Sequence, residues 1–428
     1  MKTRIYNARI LTMEDGKEMF QGEICVEDDK IIYVGPTQEN VTGDWDKEID
    51  AKGNLLLPGF KNAHTHSAMT FLRSYADDLP LQEWLYERVF PMEAKLTPED
   101  VYWCALLANL EYLTSGITAN FDMYMKNESN AKASIDSGFR TVLCGSINDF
   151  GGTVDEIEEE YLHFNEINPL ISYQIGFHAE YTTKRKIMEG IAALGQKYKT
   201  GVYAHNSETK NEVQGCIERY GVTPTVLMDQ LGMFEYGGGG FHCVHMSEED
   251  LRICKEKGVW VVTNPSSNVK LASGIAQIDK MLKAGIGLAI GTDGPASNNC
   301  LDMFREMFLV TALQKVSLED ASAVDAIDVL KMATVGGAKA MGLNNCDTLA
   351  VGKKADIIML DLMQPNMQPL NNIAKNVVYS GSKQNVKMTM IDGKILYMDG
   401  KFTIGIEPEE IYRKANESIE RMQKAYEM

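Results

Sequence analysis

The chain lacks the features that mark exported, membrane-bound or nucleic-acid-binding proteins. Its eight cysteines are scattered, and no two stand at C-x-x-C spacing. That argues against a disulfide framework and a thiolate zinc ribbon, and it leads us to expect reduced, mostly buried thiols in the cytoplasm. No apolar run reaches the length of a membrane span, and Met1 to Met13 is too polar for a signal peptide. Basic residues are outnumbered, 42 Lys and Arg against 60 Asp and Glu, for a formal charge of −18. That balance argues against nucleic acid, whose phosphates need a basic face, and against an anionic membrane surface. Solenoid-length repeats, low-complexity segments and H-E-x-x-H are all missing, and no Gly-rich dinucleotide fingerprint follows an early strand.

What is present fits an ordinary globular protein of one large and one small domain: 428 residues, 44% apolar and 24% charged. Both ends read as β. Thr3–Thr12 alternates, and Glu23–Val26 and Ile31–Val34 flank a polar turn. Near the C-terminus Ala355–Leu360 is a strand, and Met388–Ile391 and Lys394–Met398 flank Asp392-Gly393, a strong hairpin signal. The middle alternates strand and helix. Its eight candidate strands are Leu55–Phe60, Ile117–Asp122, Arg140–Gly145, Ile171–Phe177, Gly201–Ala204, Gly240–Cys243, Val259–Thr263 and Ile286–Gly291. The clearest helix starts at Thr97-Pro98, carries the stripe Val101, Ala105, Ala108, Tyr112, and stops at Gly116. Gly237–Gly240 reads as a mobile loop entering a strand. The expected fold is therefore a (β/α)₈ TIM barrel over residues 58–345 with a small β-sandwich domain composed of 1–57 and 346–405. Residues 406–428 are left for a closing helix.

Six of the seven histidines, all but His163, fall at or just beyond the C-terminal end of a candidate strand, where barrel enzymes put their chemistry. His64-Thr65-His66 is an i, i+2 pair, so on extended chain both imidazoles can reach one ion. His205 ends the fifth strand, and Glu208 follows three residues later, a non-ligating carboxylate suited to proton transfer. Asp293 sits on a Gly-flanked turn after the eighth strand, where burial would be costly without a cationic partner. These residues suggest one divalent metal ion, Zn²⁺ first and Fe²⁺ or Mn²⁺ as alternatives, held by His64, His66, His205 and Asp293. Glu208, His242 and Asp293 are the expected catalytic groups. Of the pair His242 and His245, His242 lies closer to the strand proper and is chosen. His245 and Glu248 are read as structural, because Ser247 caps a helix there with Asp250 three residues on. His178-Ala179-Glu180 has the H-x-E of the cytidine-type zinc deaminases, but no P-C-x-x-C follows.

Taken together the motifs resemble the amidohydrolase superfamily, and within it the deaminases of 5′-methylthioadenosine and S-adenosylhomocysteine. The likeness rests on Pro58 to His66, the Leu81–Leu85 stretch with Trp84, Phe90-Pro91-Met92-Glu93, and His205 to Glu208. It continues through Phe241 to Met246, Gly291 to Asn299, and Gly352-Lys353-Lys354-Ala355-Asp356. The resemblance implies that Glu93 receives ribose hydroxyls, His178 a purine ring nitrogen, and that Trp84 packs on the substrate, with Glu208 and Asp293 also touching it. It implies a small-molecule substrate and release of ammonia from an adenosine-type nucleoside. Binuclear relatives carry a lysine at the end of the fourth strand; Gly176-Phe177-His178 has none, which favours a single metal. Relatives that accept a homocysteine tail place arginines on and after the third strand, whereas Thr141 to Tyr161 contains neither Lys nor Arg. Lys184 and Arg185, on the fourth βα loop, are the nearby bases that could take their place. A small or apolar 5′ group is therefore expected over S-adenosylhomocysteine. The alternatives are another aminated or chlorinated heterocycle (guanine, pterin, s-triazine) and a non-enzymatic metal-binding barrel. The oligomeric state stays open, with a homodimer or higher homo-oligomer among the options.

Overall fold

The computed structural model describes residues 1–38, 44–80 and 83–427. Among them, both chain ends build one mixed nine-stranded sheet. The N-terminal part supplies β1 (Lys2–Ile10), β2 (Phe20–Glu27), β3 (Lys30–Gly35), β4 (Lys47–Asp50) and β5 (Leu55–Pro58). The barrel strands are β6 (Phe60–Thr65), β7 (Ile117–Met123), β8 (Arg140–Cys144), β9 (Ile171–Gln174), β10 (Gly176–Ala179), β11 (Val202–Asn206), β12 (Gly238–His242), β13 (Val259–Thr263) and β14 (Leu288–Ile290). The sheet from the ends is completed by β15 (Ile357–Leu360), β16 (Val386–Ile391), β17 (Lys394–Met398) and β18 (Lys401–Phe402). Its order is β18-β17-β16-β15-β5-β1-β2-β3, with β4 on β1, so β5 and β15 join the two chain ends antiparallel. Ile5, Ile10, Ile24, Leu56, Ile357 and Met388 fill its own core. The Asp392-Gly393 turn forms as expected, both residues at positive φ (52° and 75°), between β16 and β17.

The barrel is two parallel arcs, β6-β7-β8-β9 and β10-β11-β12-β13-β14. The fourth strand breaks at Ile175, whose carbonyl still accepts from the Tyr203 N–H at 3.0 Å, as in a regular ladder. On the other side the Asp293 N–H donates to the His64 carbonyl at 3.0 Å. Closure there needs Gly291: a Cβ would stand 2.7 Å from both the N and the O of His64. Helices cover the outside. Pro98–Thr114 is capped by Thr97, whose side chain and Asp100 exchange the reciprocal bonds of a capping box, and Val101, Ala105, Ala108 and Tyr112 are fully buried. The closing helix spans Pro408–Glu427.

Two strand expectations need correction. Leu55–Phe60 is not the first barrel strand. Leu55–Pro58 pairs with β1 and β15, and the barrel strand starts at Phe60 and runs on to Thr65. The misreading has a cause: Leu55-Leu56-Leu57 is apolar because it is buried, while Lys61, Asn62, His64 and Thr65 hide a strand that is equally buried. Gly237–Gly240 is not a loop either. Gly238, Gly239 and Gly240 form the start of β12, and all three are buried. They are glycine for want of space, since a Cβ would meet Val202 O at 2.4 Å, Tyr203 Cε1 at 2.6 Å and Cys243 Sγ at 2.7 Å respectively.

The Gly352 to Asp356 motif serves the joint between sheet and barrel. Asp356, buried, accepts from Arg140 Nε (2.9 Å) and Nη2 (3.0 Å) and from the Asp392 N–H (2.9 Å). Lys354 pairs with Asp29 and Asp392. The eight cysteines form no disulfide, and seven are buried. No helix among the described residues is long and apolar enough to cross a membrane.

Candidate metal centre and catalytic cleft

His64, His66, His205 and Asp293 each offer one ligand atom, and the four atoms lie within 4.8 Å of one another at the C-terminal mouth of the barrel. Strand geometry aims them. His64 lies in β6 and His66 just beyond it, two residues on and so on the same side. The His64 ring stacks on Phe241 with centroids 3.9 Å apart. The backbone fixes two tautomers. His66 Nδ1 donates to the Met123 carbonyl, and His205 Nδ1 to the His178 carbonyl at 2.7 Å. Both Nε2 atoms then point inward, 3.4 Å apart. Asp293, at φ 57°, turns Oδ1 to His66 Nε2 (3.1 Å) and His64 Nε2 (3.5 Å). Its Oδ2 is occupied by the hydroxyls of Ser267 (2.6 Å) and Ser297 (2.7 Å).

The electrostatics of this cluster call for a cation. Burial pushes His64 down to about 3 and His205 well below the ordinary histidine value. Burial also works against a charged His66, yet Asp293 overrides it and pushes that imidazole up to about 9. Asp293 itself is held well below the carboxylate range: burial opposes this, and the nearby imidazoles of His64 and His66 outweigh it. Neither ring nitrogen of fully buried His64 has a hydrogen-bond partner. Three converging imidazoles, a carboxylate and a buried histidine without hydrogen-bond partners are what a divalent ion satisfies, and the carbonyl-anchored Nδ1 atoms are the usual outer support. The donor set fits one such ion.

Glu208 and His242 face the same cleft. Glu208 Oε1 accepts from Ser273 Oγ at 3.1 Å, and its Oε2 lies 3.9 Å from His242 Nε2. Glu208 is not the helix-start acid of Lys210–Tyr220. Thr209 is the N-cap and Glu212 its capping-box partner, and Glu212 also accepts the N–H groups of Ser207 and Glu208. Burial pushes Glu212 up to about 7. His242 ends β12 at φ 71° and its Nδ1 faces Asn268 Oδ1 at 2.8 Å. His245 lies outside the cleft, with Nε2 on the Ser273 carbonyl at 2.7 Å. Glu248 opens the helix Glu248–Lys257 and pairs with Lys280.

The cleft wall brings in the remaining expected residues. Trp84 lines it from a π-helical turn, Trp84–Val89; Leu81 and Gln82 of the Leu81–Leu85 stretch lie outside the described residues. His178 lines it too, its Nδ1 against Thr182 Oγ1 at 2.7 Å, and burial lowers it to about 4, leaving the ring neutral. Glu93 accepts the Tyr124 hydroxyl at 2.7 Å on Oε1, and desolvation pushes its carboxyl up to about 7. Lys184 and Arg185 do not line the cleft. Arg185 pairs with Glu189, and the Lys184 N–H donates to Asp149. Reading the sequence missed Tyr124, Asn268, Ser273, Ser267 and Ser297. Tyr124, Asn268, Ser273 and Ser267 carry no spacing signal, because each acts by touching a site residue from a different element; Ser297 lies four residues from Asp293 on the same loop.

A parallel barrel with a His₃Asp centre at its mouth defines a metal-dependent barrel hydrolase. Comparison with known proteins agrees: the amidohydrolase family model matches residues 55–396. The chain belongs to the amidohydrolase family. It is 39% identical over 430 residues, 99% of each chain, to a 5-methylthioadenosine/S-adenosylhomocysteine deaminase of Caldanaerobacter subterraneus subsp. tengcongensis. It is equally 39% identical, over 99% of each chain, to the enzyme of the same name from Caldicellulosiruptor saccharolyticus. Among solved structures, a zinc-bound adenosine deaminase from Xanthomonas campestris superposes with TM-score 0.93 at 31% identity, covering 99% of this chain and 98% of that one.

Proposed function

We propose that this protein is a hydrolytic deaminase that uses one divalent cation, zinc in the first instance, to convert an adenosine-type nucleoside to the inosine-type product. The observation that carries the reading is the shared cleft. His66, His205, Asp293, Glu208, His242 and the acceptor Glu93 line one space, with buried His64 completing the ligand cluster, so ring chemistry and ribose recognition can occur on one bound molecule. The names of the relatives support the substrate class. The buried thiols fit a cytoplasmic setting.

His64, His66, His205 and Asp293 would hold the cation. When bound, it acidifies water and so supplies the nucleophile at neutral pH. Asp293 Oδ1 faces that centre and accepts the proton of the attacking water, while Ser267 and Ser297 keep Oδ2 from competing. Glu208 protonates the ring nitrogen beside the amine-bearing carbon, aided by the Ser273 hydroxyl that fixes its orientation. His242 Nε2 stabilises charge on the attacking oxygen. A C–O bond forms and the C–N bond breaks. Of the two water protons, one ends on the leaving ammonia and one on the ring nitrogen. Glu93 binds the ribose diol, and Trp84 and His178 contact the ligand.

The test is a panel assay of zinc-loaded protein with adenosine, 5′-methylthioadenosine, 5′-deoxyadenosine, S-adenosylhomocysteine, guanine, a pterin and a chloro-s-triazine. Ammonia and chloride are followed. The nucleosides with small 5′ groups should give the highest kcat/KM. A free heterocycle outrunning them would overturn the assignment.

A further inference from the structure

The helix Met303–Leu318, on the outside of the barrel after β14, is apolar on two faces. Its inner face behaves as a barrel helix requires: Met303, Phe304, Met307 and Val310 are buried. Its outward face should then be polar, because a helix that is apolar all round is one that is covered all round. Instead Phe308 is 46% and Val316 77% exposed, with half-buried Leu309, Ala312 and Leu313 between them. Ile275, 40% exposed, extends this surface, lining one small groove with Leu309 and Leu313. A continuous apolar patch on an otherwise charged surface is characteristic of an interface.

The order of residues along the face indicates what fits it. Residues three and four apart are neighbours on a helix, so Arg305, Phe308, Ala312, Val316 and Glu319 form one stripe. Their spacings of 3, 4, 4 and 3 residues are the same from either end. The stripe ends in opposite charges about 21 Å apart, at 1.5 Å per residue. Arg305 and the C-cap Glu319 are both exposed, and neither side chain makes an ion pair among the described residues. Lys315 does not interfere, since its Nζ is turned back onto the Ala323 carbonyl at 2.6 Å.

A surface with this symmetry is complementary to itself. Laid antiparallel across a two-fold axis at Ala312, a second helix sets Arg305 against the partner's Glu319 and Phe308 against the partner's Val316, each pair occurring twice. Ala312, small and central, lets the two helices approach to about 8 Å, the close end of helix packing. A parallel pairing fails, because Arg305 would meet Arg305 and Glu319 would meet Glu319. We infer that this face is an isologous interface between two copies of this chain, built on antiparallel pairing of Met303–Leu318 about Ala312.

The experiment is light scattering and sedimentation equilibrium on the full-length, metal-loaded protein at micromolar concentration. Wild type should have an even multiple of the 47.7 kDa chain mass. Val316→Asp should at least halve that mass while circular dichroism and metal content stay those of wild type, since a residue so exposed carries little of the chain's own fold. Arg305→Glu and Glu319→Arg should each weaken association by about tenfold or more, because each sets two like-charged pairs across the axis. The double variant R305E/E319R exchanges the charges and should restore it. A monomeric wild type overturns the inference. So does an assembly that survives Val316→Asp, or single charge reversals that have no effect. A double variant weaker than both single ones overturns the antiparallel pairing and with it the inference.

Discussion

Glu93 offers a test that reads recognition separately from chemistry. Its carboxyl is pushed up to about 7 by desolvation, and the Tyr124 hydroxyl at 2.7 Å works the other way by favouring the ionised form. Only the carboxylate can accept hydrogen bonds from both ribose hydroxyls. Raising pH ionises it, so diol binding should strengthen as pH climbs through 7 and weaken below. With a pKa near 7, about a tenth of the carboxyl is ionised at pH 6 and about nine tenths at pH 8. The corresponding gain in kcat/KM is roughly ninefold. Other groups in the cleft titrate too, so the quantity to measure is a ratio: kcat/KM for adenosine over that for 2′,3′-dideoxyadenosine at each pH. Groups that serve the ring chemistry cancel in it. Wild type should show the rise; Glu93→Gln should flatten it. Tyr124→Phe removes the bond that favours ionisation, so the rise should move to higher pH. A ratio independent of pH in wild type, or one that keeps its slope in Glu93→Gln, would refute the reasoning.

Three further outcomes test the rest. Glu208→Gln and His242→Ala should keep about one divalent ion per chain yet lose turnover by about 10²-fold or more, the scale of general acid/base catalysis. His205→Ala and Asp293→Ala should lose ion and activity together, and His245→Ala should lose neither; metal analysis beside steady-state rates decides, and a stoichiometry near two defeats the single-ion site. Asp356→Asn leaves the buried Arg140 guanidinium without its bidentate partner. It should cost about 3–5 kcal/mol in urea unfolding, the usual penalty for breaking a buried pair, and a loss under about 1 kcal/mol would show that Asp392 suffices.

The fold was legible where burial is one-sided or caps are local. The alternation of β1, the hairpin at Asp392-Gly393 and the capped start at Thr97-Pro98 all write their geometry into neighbouring residues. The barrel strands were harder at their ends. Phe60–Thr65 carries Lys61, fully buried with Nζ on the Gly59 carbonyl and on Thr118 Oγ1, both at 2.8 Å. A lysine satisfied by partners 2 and 57 residues away reads as exposed in any local window. The glycines of β12 are the opposite case. Their lack of side chain reflects the width of the neighbouring strand, Val202 and Tyr203, which no window around residue 238 contains.

The site divides along the same line. Its charged members were legible because histidines and acids concentrated at strand ends are unusual, and a barrel mouth explains them together. Its geometry was not. Ser207, His242, Cys243 and Asp293 all take positive φ, at 53°, 71°, 49° and 57°, although none is glycine. Such conformations are strained and persist only where surrounding structure insists on them. Here it does: the Ser207 N–H is held by Glu212, the Cys243 N–H by the Asn206 carbonyl, and the Asp293 N–H by the His64 carbonyl. The bonds at Cys243 and Asp293 cross to other barrel strands, while the one at Ser207 comes from the start of the helix that follows, so the strain is sustained by the closed barrel together with local capping. Propensity favours leaving these residues extended, and only the closed barrel reverses it. The residues that can do chemistry were therefore visible before the fold, and the residues that make them converge became visible only with it.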